Sequence, residues 1–555
     1  MSIKKDMGKF TPRKEQTDCL NFIKKSYKEN KSNRIFLLDL PVGVGKSHLA
    51  MMISQWYFNN VNRMGRTDII TNSKILQNQY SRTYESINDL KGKENYDCTQ
   101  YGCSCAQGSE FNKLNNSKCD WCPHSDARDQ FLMGKISLTN FYLYTLYALY
   151  MPKVLESRNS SVLIVDEAHQ FDDVVSNFIS VKVTESSIKK LKLKSGGEMV
   201  TKLKGISKME DYIDFLKELS REIAENVKKL KGSMNARYQS PTQTSRDIKV
   251  GTVIGKKNKD IDKMKLITTH EQLLLKIEIF LDEYKTDPNN WVMESNWNDK
   301  TRKKELSLEP IWASDYLDKY IFSRYDMVFL MSGTILDKKM FCDLNGLDIN
   351  KAVYYSISSP FSIKNRPIYY MPIGKMSYRF KEQTFEKYVP ILNKILKKYQ
   401  NEKGLIHTNS FELANWINRD MDDPRLVFHD SSNKDQVLME HYETDKPTVI
   451  VSPSMDTGVS FDDDKARFQV IAKVPYPTLT SQKNKMRQKM NPGWYTWRTV
   501  CGIIQMSGRV VRSDVDHATT IIIDGGFTDV VKYSSHLFPK WFQDAIKRVN
   551  IKQNA

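Results

Sequence analysis

Residues 35–47 read IFLLDLPVGVGKS, and this stretch decides the class of the fold. Its first six positions are mostly apolar, bounded by Asn33-Arg34 before and Pro41 after. So short an apolar run fits a strand buried on both faces of a parallel sheet. A glycine turn follows, and SHLAMMISQWYF then carries helical periodicity. Strand, turn and helix in that order present backbone N–H groups at a helix N-terminus, a nest for phosphate oxygens. Gly43 and Gly45 supply the turn, Lys46 the charge for β- and γ-phosphates, and Ser47 a hydroxyl for Mg²⁺. The full pattern has Gly where Leu40 stands. A chance glycine turn ahead of a helix is the plainer alternative.

Outward from this stretch the alternation repeats. Strand-like runs recur at 68–71, 161–166 and 327–332, then at 367–372, 404–408, 448–453, 469–474 and 519–524. Helical stretches lie between them. Two such series imply an α/β protein with two parallel-sheet domains. Two segments interrupt the first series. Residues 91–135 are polar and Cys-rich, a piece too poor in apolar residues to hold its own core without help. Residues 176–310 read as mostly helical: 185–232 is Lys-rich, Ser233–Asn258 reads as loop or ribbon, and a helix resumes over 267–285. The expected organisation is a first domain at 1–90, 136–175 and 311–338, insertions at 91–135 and 176–310, and a second domain over 339–555. The greasy stretch Phe141–Leu155 reads as one buried helix.

Composition narrows the function. The 555 residues are 40% hydrophobic and 27% charged, which is globular rather than disordered or membranous. No apolar run reaches the roughly 18–20 residues that span a bilayer, and the start, MSIKKDMGKF, lacks the apolar core of a signal peptide. A cytoplasmic setting, in a bacterium or a phage-infected cell, is expected. The net charge of +18 suggests a polyanionic partner, although a solvated basic surface is the bland alternative. Five of eight cysteines fall between Cys98 and Cys122, and such clustering points to metal.

Two further motifs bear on ATP. Val165-Asp166-Glu167-Ala168-His169 ends a buried strand, where open parallel sheets bind their ligands. Asp166 can hold Mg²⁺ and Glu167 can deprotonate the attacking water. In Gln505-Met-Ser-Gly-Arg509-Val-Val-Arg512, helical spacing would put positions 505, 509 and 512 on one face. Two guanidiniums aimed from a second domain at a γ-phosphate would stabilise its transition state.

With these motifs in place the chain resembles a superfamily-two helicase with a DEAH box, and more narrowly the XPD/DinG family of iron–sulfur DNA helicases. Pieces in family order run from Pro12-Arg13-Lys-Glu-Gln16 through Thr71-Asn72-Ser73, the cysteines, Asp166–His169, Ser332-Gly333-Thr334 and Ser359-Pro360-Phe361. They continue with Thr408-Asn409-Ser410, Asp456-Thr-Gly458-Val-Ser460-Phe461 and Gln505–Arg512. The resemblance implies two RecA-like domains, an iron–sulfur insertion at 91–135 and an arch at 176–310. It implies Arg13 and Gln16 near adenine, and His169, Asp456, Gly458 and Gln505 at the ATP cleft. Ser332–Thr334 would couple hydrolysis to movement. Thr71, Asn72, Ser73, Thr408, Asn409 and Ser410 would touch the nucleic-acid backbone; taken singly, each triplet could be a turn or a cap.

The cysteines run Cys98-x4-Cys103-x-Cys105-x13-Cys119-x2-Cys122. Spacing alone favours structural zinc. Location between the Thr71 motif and the DEAH box, with flanks Asn95-Tyr96-Asp and Pro123-His-Ser-Asp-Ala127-Arg128, matches where the family carries a 4Fe-4S cluster. Cys98, Cys119 and Cys122 are the firm ligands; Cys105 is preferred for the fourth place, with Cys103 its alternate. Cys19, Cys342 and Cys501 read as core thiols. Trp291, Trp297, Trp312, Trp494, Tyr495 and Trp497 read as core packing, with base stacking the alternative. The expected function is an ATP- and Mg²⁺-dependent DNA helicase, a monomeric motor moving 5′→3′ on single-stranded and forked DNA. A DEAH-type RNA helicase or a zinc-bearing nucleic-acid binder with weak ATPase are the alternatives.

Overall fold

The computed structural model describes residues 6, 10–115, 118–238, 250–298, 303–430, 432–455 and 459–549. Each apolar run of the first series becomes a parallel strand. In chain order these are β1 (Ile35–Asp39), β2 (Thr67–Thr71), β3 (Ile87–Asp89), β4 (Ile136–Asn140) and β5 (Val162–Asp166). Then come β6 (Val181–Thr184), β7 (Trp291–Asn298) and β8 (Lys303–Pro310), and after them β9 (Met327–Ser332) and β10 (Ala352–Ser356). The first sheet is parallel throughout, in the order β10-β1-β9-β5-β2-β4-β3.

Side chains alternate across that sheet because the strand period is two. Leu37, Leu163, Val165, Val328 and Leu330 enter the core on one face. Phe36, Leu38, Ile164, Phe329 and Met331 enter the core on the other, under the helices Lys14–Glu29 and Lys46–Asn60. Each such Leu or Phe contributes about 1.5–3 kcal/mol of burial. Two covered faces are why these strands are apolar without interruption.

The second series builds an equally parallel sheet from β11 (Ile368–Gly374), β12 (Gly404–His407), β13 (Leu426–Phe428), β14 (Val449–Ser452), β15 (Phe468–Ile471), β16 (Thr519–Asp524) and β17 (Ile546–Arg548). Its order is β13-β14-β12-β15-β16-β11-β17.

Three expectations need correction. The second domain does not begin at residue 339: β10 pairs with β1, so the first sheet draws on the chain through Ser356. The helix Lys338–Asn345 ends at Gly346, whose φ of 66° turns the chain back toward that edge. The stretch Phe141–Leu155 is two helices, Phe141–Tyr150 and Pro152–Arg158. Met151 lies between them at φ −137°, since the residue before a proline is driven out of the α region. Residues 233–238 and 250–258 are helical rather than loop, within Met209–Tyr238 and Val250–Thr286; 239–249 lie outside the described residues. The insertion is mostly helical as expected, and it also contains an antiparallel sheet ordered β6-β8-β7. In β8 the buried Leu306 and Leu308 alternate with polar residues.

One buried cation fastens the Cys-rich insertion to the first sheet. Arg158 is fully buried and pairs with Asp68. Its guanidinium donates to the carbonyls of Phe131, Leu132 and Gly134, at the end of the insertion's last helix (Pro123–Met133), and to Thr67 O at 3.0 Å. Asp68 also accepts from Ser160 Oγ at 2.9 Å and Tyr325 OH at 2.7 Å. Removing the cation alone strands a buried carboxylate. Arg158→Met should therefore cost about 3–5 kcal/mol by urea denaturation, and Asp68→Asn added to it should restore part of the loss.

Candidate active site

The chain leaves β1 at Asp39, whose carboxylate accepts the N–H of Leu336 at 2.9 Å and the hydroxyl of Tyr354 at 2.9 Å. Leu40, where the phosphate-loop pattern has Gly, is fully buried, and its N–H pairs with Ser332 O at 2.7 Å. It extends the strand edge, and its φ is not positive, so a side chain is tolerated there. Gly43 and Gly45 have φ of 90° and 80°. A Cβ on Gly43 would stand 1.9 Å from the ring of Phe361, and one on Gly45 would stand 2.5 Å from Gln16 Nε2. Gln16 is spent on bracing this turn. Its amide donates to Val44 O at 2.9 Å and Gly45 O at 3.1 Å, and accepts from Arg13 N at 2.9 Å.

The turn opens on a cavity of about 510 Å³ between the two sheets. Arg13, Gly43, Gly45, Lys46, Ser47, Asn72, Ser73, Asp166 and Glu167 line it from the first domain. Ser460, Asp462, Arg509 and Arg512 line it from the second. Gln16, His169, Gln505 and Thr71 stand behind this lining, and Asp456 and Gly458 lie outside the described residues.

Lys46 Nζ is 3.2 Å from Glu167 Oε1. Glu167 holds φ 61°, a left-handed conformation that costs a side-chain-bearing residue energy. Asp166 is buried, accepting Tyr80 OH at 2.9 Å and Glu167 N–H at 3.0 Å. Burial raises its carboxyl to about 6 against the pull of Lys46. Glu167 is held at about 2: burial opposes ionisation, but Lys46, His169 and Arg509 together outweigh it. Side by side, one carboxyl is ready to share a proton and the other stays ionised. Burial lowers His169 to about 4, so its ring is neutral at pH 7.

A line of hydrogen bonds crosses the cleft behind these groups. His169 Nδ1 meets Ser332 Oγ at 2.9 Å, Ser332 Oγ meets Thr334 Oγ1 at 3.2 Å, and Gln505 Nε2 donates to Thr334 Oγ1 at 2.9 Å. Arg509 Nη2 donates to Gln505 Oε1 at 3.2 Å, and its Nη1 to Val459 O at 3.0 Å. The expectation that 505, 509 and 512 share a helix face is corrected here. The helix is Pro492–Ser507, and Arg509 and Arg512 follow its end, Gly508 being the cap. Both arginines reach the cavity from the turn. Arg512 Nε is buried without a hydrogen-bond partner among the described residues, as an anion-binding group would be.

The two Thr-Asn-Ser triplets are built alike, one at the end of β2 and one after β12. Each Thr hydroxyl donates to the carbonyl of the Ser two residues on, Thr71 to Ser73 and Thr408 to Ser410. Each Ser caps the following helix, Ser73 accepting from Leu76 N and Ser410 from Leu413 N. Asn72 bonds Gln170 at 2.9 Å, and Asn409, at φ 49°, bonds Lys473 O.

Cys98, Cys105, Cys119 and Cys122 line one hollow of about 680 Å³ with His124, while Cys103 stands against Cys98 and outside that lining. Cys105 and Cys122 are 4.0 Å apart at sulfur, and Asn112 donates to Cys119 Sγ at 2.9 Å. Among the described residues no three His, Cys, Asp or Glu side chains converge closely enough to hold one metal ion. Cys19, Cys342 and Cys501 are buried in the core, and burial pushes Cys19 up to about 12.

Sequence reasoning missed several residues here. Arg498 donates to His169 O at 3.1 Å and pairs with Asp173. Its spacing of seven from Gln505, two helical turns, was the available signal. Arg487 lies 5.1 Å from the ring of Trp312 and 5.4 Å from that of Trp494, so these tryptophans enclose a cation. Trp291, Trp494 and Trp497 are buried; Trp297 is 59% exposed. Tyr80 carried no motif.

Several known proteins resemble this chain in sequence or in fold. Residues 9–194 match the model of the type III restriction enzyme res subunit, and 392–545 match that of a helicase C-terminal domain. A "Probable ATP-dependent helicase" of Methanocaldococcus jannaschii is 22% identical over 91% of both chains. The ATP-dependent DNA helicase CHL1 of Vanderwaltozyma polyspora is 23% identical over 74% of this chain and 56% of its own. A solved XPD helicase superposes with a TM-score of 0.63 at 14% identity, covering 98% of this chain and all of that one. The fold is that of the XPD helicases. An XPD of S. tokodaii agrees, with a TM-score of 0.56 at 13% identity, covering 97% of this chain and all of that one. The XPD fold explains the layout: two RecA-like domains face each other across the cavity, and both insertions spring from the first.

The carboxylate pair makes a prediction for the protein assayed without nucleotide or metal. Asp166 is raised by burial, so its ionisation weighs on the folded state. That cost is absent below the unfolded value, near 4, and grows until pH passes about 6. Asp166→Asn should be the more stable protein at pH 8, by up to about 3 kcal/mol, with the gap closing between pH 6 and pH 4. Urea denaturation across that range checks it.

Proposed function

We propose that the chain is an ATP-dependent DNA helicase that moves 5′→3′ along single-stranded DNA and opens forked duplexes as a monomeric motor. The observation that carries this reading is a single cavity lined by Lys46, Asp166 and Glu167 from one RecA-like domain and by Arg509 and Arg512 from the other. ATP bound there would touch both domains, so its hydrolysis changes what holds them together.

The roles follow from position. Backbone N–H groups of the Gly43–Gly45 turn cradle the phosphates, and Lys46 neutralises them. Ser47 and Asp166 suit Mg²⁺, a hydroxyl and a buried carboxylate on the cavity wall. The ion, when bound, would offset phosphate charge. Glu167, kept ionised by the cations around it, takes the proton of the attacking water. Arg509 and Arg512 face the charge that develops on the γ-phosphoryl group. Arg13 lies at the cavity where the base would enter, and Gln16 holds the phosphate turn in shape. The line from His169 through Ser332, Thr334 and Gln505 to Arg509 joins the site of bond breaking to the second domain.

The thiols suit a 4Fe-4S cluster held by Cys98, Cys105, Cys119 and Cys122, since these four share one hollow and Cys103 does not line it. Such a cluster would hold the insertion together. Single-stranded DNA is assigned to the Thr71–Ser73 and Thr408–Ser410 strand ends, where short polar side chains and helix N-termini meet phosphate without reading sequence. The net charge of +18 favours that partner, and binding should weaken steeply with salt. DNA rather than RNA is supported by the similarity to a DNA helicase.

Unwinding of matched 5′- and 3′-tailed duplexes by anaerobically purified protein tests the whole reading. Only the 5′-tailed duplex should open; activity on the 3′ tail alone would overturn the polarity. Lys46→Ala should lose hydrolysis while melting as the wild type does. Glu167→Gln should bind ATP yet turn it over at least roughly 10²-fold more slowly, measured by single-turnover phosphate release.

A further inference from the structure

A ten-residue helix, Lys74–Thr83, runs behind the carboxylate of Asp166. Its outer turn, with Ile75 and Gln79, lines the cavity. Its inner side carries Tyr80, and Tyr84 follows four residues later at its C-cap, the two rings lying 6.3 Å apart and tilted by 50°. Both are buried, Tyr80 completely. Tyr80 OH donates to Asp166 Oδ2 at 2.9 Å, while the N–H of Glu167 holds Oδ1 at 3.0 Å. Tyr84 meets the Ser47 hydroxyl, and its own hydroxyl lies 3.4 Å from His48 Nδ1. The two side chains assigned above to Mg²⁺ are therefore each backed by a tyrosine of the same helix.

Packing does not require those hydroxyls. Phenylalanine would fill the same space, and a buried O–H is retained at a cost unless it has an acceptor. Here the acceptor of Tyr80 is the carboxylate that must face the metal at a fixed angle. Outer partners of this kind set the orientation of a ligand and change metal affinity when removed.

We propose that Tyr80, assisted by Tyr84, is a positioning residue for the Asp166–Ser47 pair. The pair is then set by an element that also roots the Cys-rich insertion. Lys74 Nζ donates to Asn95 Oδ1 at 2.9 Å, Gln77 Nε2 to Leu90 O at 2.9 Å, and Asn140 Nδ2 to Gln77 Oε1 at 3.1 Å. The inference rests on the ATP-site reading.

The test uses the full chain carrying Tyr80→Phe and a fluorescent ATP analogue titrated with Mg²⁺. Metal-free binding of the nucleotide and the melting curve should match the wild type. The Mg²⁺ needed for half-maximal binding, and for half-maximal hydrolysis, should rise roughly tenfold or more. An unchanged Mg²⁺ requirement would overturn the proposal. If Tyr80→Phe melts early, a double-mutant cycle with Asp166→Asn decides. Once Asp166→Asn is present, adding Tyr80→Phe should change the Mg²⁺ requirement no further, and additive losses would sink the proposal. A wild-type chain that binds no nucleotide at any Mg²⁺ concentration would instead overturn the ATP-site reading itself.

Discussion

Parallel pairing is the constraint on which the rest of the molecule depends. Because β1, β2, β5 and β9 all run the same way, their last residues, Asp39, Thr71, Asp166 and Ser332, emerge along one edge. Nothing else is needed to bring the phosphate turn, the first Thr-Asn-Ser triplet, the acidic pair and the Ser332–Thr334 segment together. The second sheet repeats the rule and delivers Ser410 at one of its strand ends. What remains for side chains is to hold the two edges face to face, and the bonds from Thr334 through Gln505 to Arg509 do that.

The site keeps its chemistry at the expense of the resting protein. A carboxylate sealed from water, a glutamate in a left-handed conformation and an arginine nitrogen with no hydrogen-bond partner among the described residues each weigh against folding. The large two-faced cores of both sheets offset these local costs. Such a concentration of unfavourable groups in one cavity is a feature common to functional sites.

How far the sequence could be read depended on what each element buries. Strands covered on both faces, such as IFLLD and MVFLMS, announced themselves as apolar runs. The edge strand β10 (AVYYS) and the polar β8 (KKELSLEP) did not, because both are only partly buried and their few apolar residues are lost among tyrosines, lysines and glutamates. Motif residues that line the cavity, Lys46, Asp166, Glu167, Arg509 and Arg512, were legible from type and order. Their supports were not. Tyr80 under Asp166, Arg498 on His169 O and the Arg158–Asp68 anchor arise from segments that meet only after folding. Helical spacing even misled at Arg509 and Arg512, since the helix stops at Ser507 and the arginines reach the cavity from the turn beyond it.

The clash that a side chain on Gly43 would meet has a consequence of its own. The ring occupying that space belongs to Phe361, and Phe361 lies on the strap between β10 and β11 that joins one half of the molecule to the other. Its aromatic tip rests on the backbone of the glycine turn, so a displacement of that turn would press directly on the connecting segment, and the absence of a single β-carbon is what lets the ring reach.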